Sequence, residues 1–140
     1  DANTEHLRQR YGPEIKTEQL FDRRRPGGRV LTLDGYPHRG QPIMLTEFGG
    51  IALARSSSPS APYTWGYSTA KDTDEFGELF ERIVDAVVHT ALFSGFCYTQ
   101  FTDTFQEANG LLRADRTPKI PLARIAKATT ASRTYIPGAA

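Results

Sequence analysis

The chain has 140 residues, a formal net charge of +1 and 39% hydrophobic residues. This length suffices for one domain with a real core, but it is short of the roughly 200 residues that a closed (β/α)8 barrel needs. Because the charge is nearly balanced, no overall field attracts nucleic acid or a membrane surface, and we expect neither as a partner. A single cysteine, Cys97, excludes an intrachain disulfide and a cysteine-based metal cluster.

The three histidines are far apart and follow no metal-ligand spacing, so we expect neither a metal nor another cofactor. Cys97 lies in the apolar run Gly95–Phe101 and is predicted to be a small buried hydrophobe, not a nucleophile. The sequence carries no signal peptide and no apolar stretch long enough to cross a bilayer. These features favour a cytoplasmic location, but secretion stays open because Asp1 does not resemble a natural start.

Residues 1–41 are predicted to form a connection with little regular structure. Thr4–Tyr11 and Glu14–Phe21 have short helical patterns, and the segment that follows them is rich in Arg, Gly and Pro. Within that segment only Arg29–Leu33 resembles a strand.

The first strong element is the run Pro42–Phe48, whose short apolar pattern is typical of a strand buried on both faces in a parallel sheet. Glu47 lies near its end, where Gly49-Gly50 breaks the regular structure. In a (β/α) barrel the C-terminal end of a strand is where active sites form, and a carboxylate there calls for partners or a function. The alternative is that Glu47 only marks the point where the strand meets water.

A long loop follows, and it ends in the aromatic cluster Tyr63–Tyr67, which includes Trp65. A loop of this length in a compact domain usually has a function. The aromatic side chains are predicted either to anchor the loop by packing or to form a flat wall for a ligand beside Glu47.

The clearest helix is predicted from Asp72, its N-cap, to Ser94-Gly95, with apolar residues that form one stripe along it. A second short strand, Phe96–Phe101, follows, and then a final helix with Thr117 as N-cap and Pro118 at its first position. The residues predicted to face the core from this last helix are Ile120, Leu122, Ile125 and Ala126. The order strand, helix, strand, helix predicts a βαβα unit with two parallel strands and a right-handed crossover.

Four motifs stand out together: Leu45–Gly50, Trp65–Tyr67, Gly95–Asp103, and Asn109–Lys119 with its Asp-Arg-x-Pro-Lys ending. In combination they resemble the end of the catalytic barrel of glycoside hydrolase family 2, which includes β-galactosidases, β-glucuronidases and β-mannosidases. The resemblance covers roughly Pro42 to Thr129. It implies that residues 42–128 form the C-terminal βαβα part of a (β/α)8 TIM barrel, with the two strands as its seventh and eighth. The expected fold is therefore α/β, the last two βα units of a barrel after a long N-terminal connection, with residues 129–140 as a tail.

The resemblance implies that Glu47 is the nucleophile of a retaining hydrolase that acts on β-glycosides. In that mechanism a carboxylate forms a covalent glycosyl-enzyme intermediate, and a second carboxyl group about 5–5.5 Å away acts first as acid and then as base. The family's acid/base Glu follows an Asn on an earlier strand, and no Asn-Glu pair occurs in this sequence. We therefore expect the C-terminal fragment of a longer enzyme, inactive on its own.

The resemblance also suggests substrate-binding residues, namely Trp65, Tyr98, Gln100, Asp103 and Asn109. Tyr98 is the best match to the aromatic residue, usually Trp, that the family places at the end of strand eight. Asp103 is expected to bind a sugar hydroxyl or to hold the loop, in preference to acting as the acid. β-Glucuronidases carry an Asn-x-Lys element after strand eight, and Asn109-Gly110 lacks that Lys. A neutral carbohydrate, such as a galactoside, is therefore the expected substrate.

Two other functions stay open from the sequence. One is a sugar-binding module without chemistry, in which Trp65, Tyr67 and Tyr98 are stacking platforms. The other is an assembly role for a half-barrel, whose exposed strand edges bind the rest of the parent barrel or a second copy of the chain.

Overall fold

A computed structural model describes residues 3–54, 66–104 and 107–130. These residues form a mixed α/β structure with four α-helices and four short strands. In chain order the elements are α1 (Thr4–Tyr11), α2 (Thr17–Asp22), a 3-10 turn (Pro26–Gly28), β1 (Met44–Gly49), β2 (Ile51–Leu53), β3 (Ser68–Ala70), α3 (Thr73–Val88), β4 (Gly95–Thr99) and α4 (Leu122–Thr129). None of the helices in this part of the chain is long and apolar enough to cross a membrane.

The strands form two parallel pairs. β1 pairs with β4, so the predicted parallel arrangement of the two main strands is confirmed. β2 and β3 form a second parallel pair, with Ile51 opposite Ser68, which the sequence did not indicate. Strands of three residues are too short for a readable alternation of apolar and polar residues. Because β2 follows β1 after only Gly50, one length of chain contributes to both pairs.

Asp72 fixes the start of α3. Its carboxylate accepts the N–H of Glu75 at 2.9 Å, and Glu75 in turn accepts the N–H of Lys71 at 2.7 Å, so the helix begins at Thr73 with a modified capping box. The apolar stripe of α3 packs inward as predicted. Its buried members include Phe76, Phe80, Ile83, Val84 and Val87.

The hydrophobic core lies between α3 and the strands. Phe48 of β1 and Ile51 of β2 are fully buried in it. The N-terminal helix α1 joins this core through Leu7, and the ring of Tyr11 meets Phe93 edge-on with 5.1 Å between centroids. Part of the predicted connection, residues 4–11, is therefore packed against the core.

The last helix begins later than predicted. α4 starts at Leu122, not at Pro118, because the N–H and the hydroxyl of Thr117 both bond to Asp115, at 2.9 and 2.6 Å, and form a separate turn. Pro118 pairs with Leu112 in an isolated bridge instead. Of the residues predicted to face the core, Ile120 is buried and Ile125 packs against the core, whereas Leu122 and Ala126 are exposed.

Two further sequence predictions are wrong. Arg29–Leu33 forms no strand, and Leu33 is 78% exposed, because no neighbouring strand of the described structure pairs with this segment. α3 ends at Val88 and does not continue to Ser94. The Thr90 hydroxyl donates to the carbonyl of Ala86 at 2.7 Å, and this local bond accompanies the end of the helix.

One face of the β1–β4 pair is uncovered. The core covers the face that carries Phe48 and Tyr98. On the other face the side chain of Met44 lies over Gly95, two residues before Cys97, and both Met44 and Cys97 are exposed. The prediction of a buried Cys97 is therefore wrong for this chain, because no second layer of the described residues covers that face.

Candidate functional site

A shift in strand register sets the position of Glu47. Two residues of β1, Thr46 and Glu47, face a single residue of β4, Cys97, because the register changes between Leu45 and Phe48. Such a bulge changes the direction of a side chain and is over-represented beside active sites. Glu47 is accordingly exposed, although the next residue along the strand is fully buried.

Two glycines turn the chain away from the sheet just after Glu47. Gly49 and Gly50 have φ angles of +106° and +71°, a region that favours glycine. A Cβ atom at Gly49 would lie 2.5 Å from the ring of Tyr98, and one at Gly50 would lie 2.6 Å from the ring of Tyr67. Both the backbone conformation and the close approach of two aromatic rings therefore require glycine at this turn.

Glu47 lines a cleft of about 240 Å³ that also includes residues of α1. Tyr67, which is 61% exposed, contributes an aromatic wall, and Arg10 and Tyr11 contribute a guanidinium and a second ring. A few polar groups among aromatic rings suit a small polar ligand. Sequence reasoning missed Arg10 and Tyr11, because only the packing of Leu7 into the core brings α1 here and no local pattern signals it.

Tyr98 packs in the core. Its ring meets Phe48 and Phe80 edge-on, with centroids 5.5 and 5.1 Å away. Burial raises the pKa of Tyr98, and the nearby backbone N–H of Ile51 offsets a smaller part of that rise. Neither this N–H nor any other group of the described residues has the distance and angle of a hydrogen bond to the Tyr98 hydroxyl. The ring thus lies beneath the strand ends, apart from the cleft that Glu47 lines.

The next two candidates follow β4 in the chain and meet each other. Gln100 comes after a cis peptide bond, Thr99–Gln100, and its backbone N–H lies 3.5 Å from the carbonyl oxygen of Asn109. Asn109 is 0% exposed, and neither atom of its amide group has a hydrogen-bond partner among the described residues. The side-chain nitrogen of Gln100 is buried and unpaired in the same sense. A buried amide of this kind calls for a physical explanation.

Asp103 belongs to a buried ion pair. Lys119 Nζ lies 2.7 Å from Asp103 Oδ1, and the two side chains are 1% and 8% exposed. The same oxygen accepts the N–H of Gly110 at 2.8 Å. These contacts fit the loop-holding role, one of the two roles expected for Asp103. Lys119 belongs to the Asp-Arg-x-Pro-Lys ending that the sequence analysis singled out. No sequence pattern indicated that this lysine pairs with Asp103.

The predicted site residues therefore fall into three groups. Glu47 lines the cleft. The residues that lie in β4 or in the segment after it, and that do not line this cleft, are Tyr98, Gln100, Asp103 and Asn109. Trp65 lies outside the described residues. A larger cavity of about 730 Å³ includes the start of α3 and is also lined by Asp103, one of the predicted site residues. The other charged residues that line it are Lys71, Asp72, Arg113, Asp115 and Lys119. Within the described ranges no three His, Cys, Asp or Glu side chains are grouped to hold a metal.

The chain matches no protein-family model and no curated protein. The likeness to glycoside hydrolase family 2 therefore rests on the sequence motifs quoted above.

Proposed function

We propose that this chain carries the nucleophile, Glu47, of a retaining β-glycoside hydrolase similar to family 2, and that it forms the last two βα units of a (β/α)8 barrel. The substrate class that fits best is a neutral β-glycoside such as a galactoside. The acid/base carboxyl group would come from an earlier βα unit outside these residues.

One observation carries this function: the bulge at Thr46-Glu47. The bulge leaves Glu47 exposed near the C-terminal end of a parallel strand. If Glu47 only marked the point where the strand meets water, no change of register would be needed. The glycine turn that follows packs against the rings of Tyr98 and Tyr67. The carboxylate is thereby presented on a packed element, which is how a nucleophile is held for attack.

The chemistry assigned to Glu47 is attack on the anomeric carbon. The carboxylate oxygen forms a bond to that carbon while the bond to the departing oxygen breaks, and the second carboxyl group protonates the departing oxygen. Water then attacks the intermediate and releases Glu47. Asp103 is a poor choice for the second carboxyl group, because its oxygen already accepts hydrogen bonds from Lys119 and Gly110.

The surroundings of Glu47 support a sugar as ligand. Tyr67 packs on Gly50 and presents an exposed ring beside the carboxylate, as required to stack on the apolar face of a pyranose. Arg10 lines the same cleft, and its guanidinium group carries hydrogen-bond donors suited to the hydroxyl groups of a sugar.

The uncovered face of the β1–β4 pair supports the barrel. Parallel sheets are normally covered on both faces, and here the described residues cover only the face that carries Phe48 and Tyr98. Met44 and Cys97 on the other face would become interior residues when further parallel strands close the barrel.

The test is mechanism-based labelling of the protein that contains these residues together with the preceding βα units. A 2-deoxy-2-fluoro-β-galactoside should trap the intermediate on the peptide that contains Glu47, as read by proteolysis and mass spectrometry. Glu47→Gln should abolish labelling and leave stability within about 0.5 kcal/mol, because the side chain is exposed. Glu78→Gln, an exposed carboxylate on α3, is the matched control and should label normally. Labelling of another residue would refute the assignment.

A further inference from the structure

Lys119 is a buried cation near the end of the segment between β4 and α4. Its Nζ lies 2.7 Å from Asp103 Oδ1, 2.7 Å from the carbonyl oxygen of Ala108 and 5.2 Å from the centroid of the Phe76 ring. These partners belong to the start of the loop, its far side and the first turn of α3. One ammonium group therefore joins both sides of this loop to the first turn of α3.

The Lys119–Asp103 pair holds both neighbours of Asn109. The carbonyl of Ala108 accepts from Lys119, and the N–H of Gly110 donates to Asp103 at 2.8 Å. The backbone is thus fixed immediately before and immediately after a residue whose own amide group has no hydrogen-bond partner among the described residues. Hydrogen bonds on both sides of Asn109, and none from its own amide group to the described residues, therefore hold the backbone at this position.

Backbone hydrogen bonds carry this restraint towards the strand that bears Glu47. The carbonyl of Ala108 also accepts the N–H of Leu53, in β2, at 3.1 Å. β2 begins directly after Gly50, whose N–H donates to the carbonyl of Thr99 at 2.8 Å. The end of β1, the end of β4 and the loop held by the ion pair are therefore connected around the turn that follows Glu47.

A buried ion pair is weak evidence of a stabilising role. Taking two charges out of water is costly, and apolar side chains of similar volume are often at least as stabilising in the same place. What an apolar pair cannot supply is directed bonds to Ala108 and Gly110. The ion pair therefore contributes geometry.

We propose that Lys119 is a positioning residue: paired with Asp103, it fixes the loop on both sides of Asn109 and, through β2 and Gly50, the strand end that presents Glu47. The consequence for catalysis rests on the proposed function, whereas the restraint on the strand end does not.

The restraint is tested by amide hydrogen exchange, followed by NMR on the 140-residue chain. In the double variant Asp103→Leu/Lys119→Met, the amides of Gly50 and Leu53 should exchange at least tenfold faster, while those of the α3 core, such as Phe80, keep their rates. The single variant Lys119→Met is unsuitable, because it leaves an unpaired buried carboxylate and threatens folding.

The matched control removes a different ion pair. Glu81→Leu/Arg124→Met breaks the contact between α3 and α4 and should leave the exchange of Gly50 unchanged. Unchanged Gly50 and Leu53 rates in the Asp103/Lys119 variant would overturn the positioning role. So would a uniform increase that includes Phe80, or a failure to fold, since either would make the pair a general requirement for folding.

A second measurement separates this inference from the proposed function. In the longer protein, the rate of fluoroglycoside labelling of Glu47 should fall at least tenfold in the Asp103/Lys119 variant and stay unchanged in the Glu81/Arg124 variant. If the unsubstituted protein is not labelled at Glu47 at all, the glycosidase function fails, and the exchange rates still decide whether Lys119 positions the strand end.

Discussion

Gly49 is the last residue of β1 and lies against the ring of Tyr98. Its φ of +106° is unfavourable for any residue with a Cβ atom. Such an atom would also lie 2.5 Å from Tyr98 Cε2 and 2.8 Å from the carbonyl oxygen of Thr99. The conformation and the lack of space are separate costs, and a matched pair of substitutions distinguishes them.

We expect Gly49→Ala to lower the free energy of unfolding by roughly 2–6 kcal/mol, because backbone strain and overpacking each cost about 1–3 kcal/mol. Gly28→Ala is the control, since Gly28 has a φ of +74° but nothing within 4 Å of a Cβ atom. It should lose only the conformational part, about 1 kcal/mol. Urea denaturation measures both, and equal losses would contradict a role for the Tyr98 contact.

The contact between α3 and α4 depends on a two-point ion pair. Arg124 Nε and Nη2 lie 2.7 and 2.9 Å from the two carboxylate oxygens of Glu81. The guanidinium also covers Gly77, where a Cβ atom would lie 2.6 Å from Arg124 Nη1. The hydrogen bonds from Arg124 lower the pKa of Glu81, and burial opposes this shift to a smaller extent.

This shift predicts how the contact responds to pH. The folded-state pKa of Glu81 lies below its ordinary value of 4.5, so the pair stabilises the fold fully above that pH and loses its effect as the pH falls through the lowered pKa. Arg124→Gln should therefore lower Tm at pH 6, and the difference from the unsubstituted chain should shrink below pH 4.5. Arg82→Gln, which removes an exposed charge on α3 next to Glu81, should show no such trend. A difference that is constant with pH would contradict the assignment to Glu81.

Among the described residues, the β1–β4 pair has one packed face and one open face. α3 and α1 cover the side of the strands that carries Phe48, while Met44 remains 50% exposed and Cys97 is exposed on the other side. Parallel strands with an uncovered face and free edges invite pairing with further strands. In the proposed barrel those strands come from the parent protein, and in the isolated chain a second copy is the available partner.

We predict that the isolated chain self-associates at high concentration through this open face, as measured by sedimentation velocity. Met44→Lys should reduce association, because it places a charge on the face that the partner covers. Leu122→Lys is the control, since Leu122 is an exposed apolar residue of α4, 61% accessible, away from that face. Reaction of the Cys97 thiol with a disulfide reagent should slow as association proceeds. A strictly monomeric chain would refute this prediction.

The sequence by itself determined the local elements of this protein. The helix Thr4–Tyr11 has the predicted bounds, and the apolar stripe of α3 and its Asp72 cap follow from spacing and from one side-chain bond. The parallel pairing of β1 with β4 follows from the order of the elements, since an intervening helix returns the chain to the same end of the sheet. These features depend on neighbours along the chain, which a sequence pattern records.

Only the tertiary structure decided the surroundings of Glu47 and the contacts of the segment that follows β4. The register shift that exposes it, the approach of Arg10 from α1, the burial of Asn109 and the pairing of Lys119 with Asp103 all depend on contacts between segments far apart in sequence. Spacing cannot encode such contacts, because each is settled by the packing of elements against a shared core.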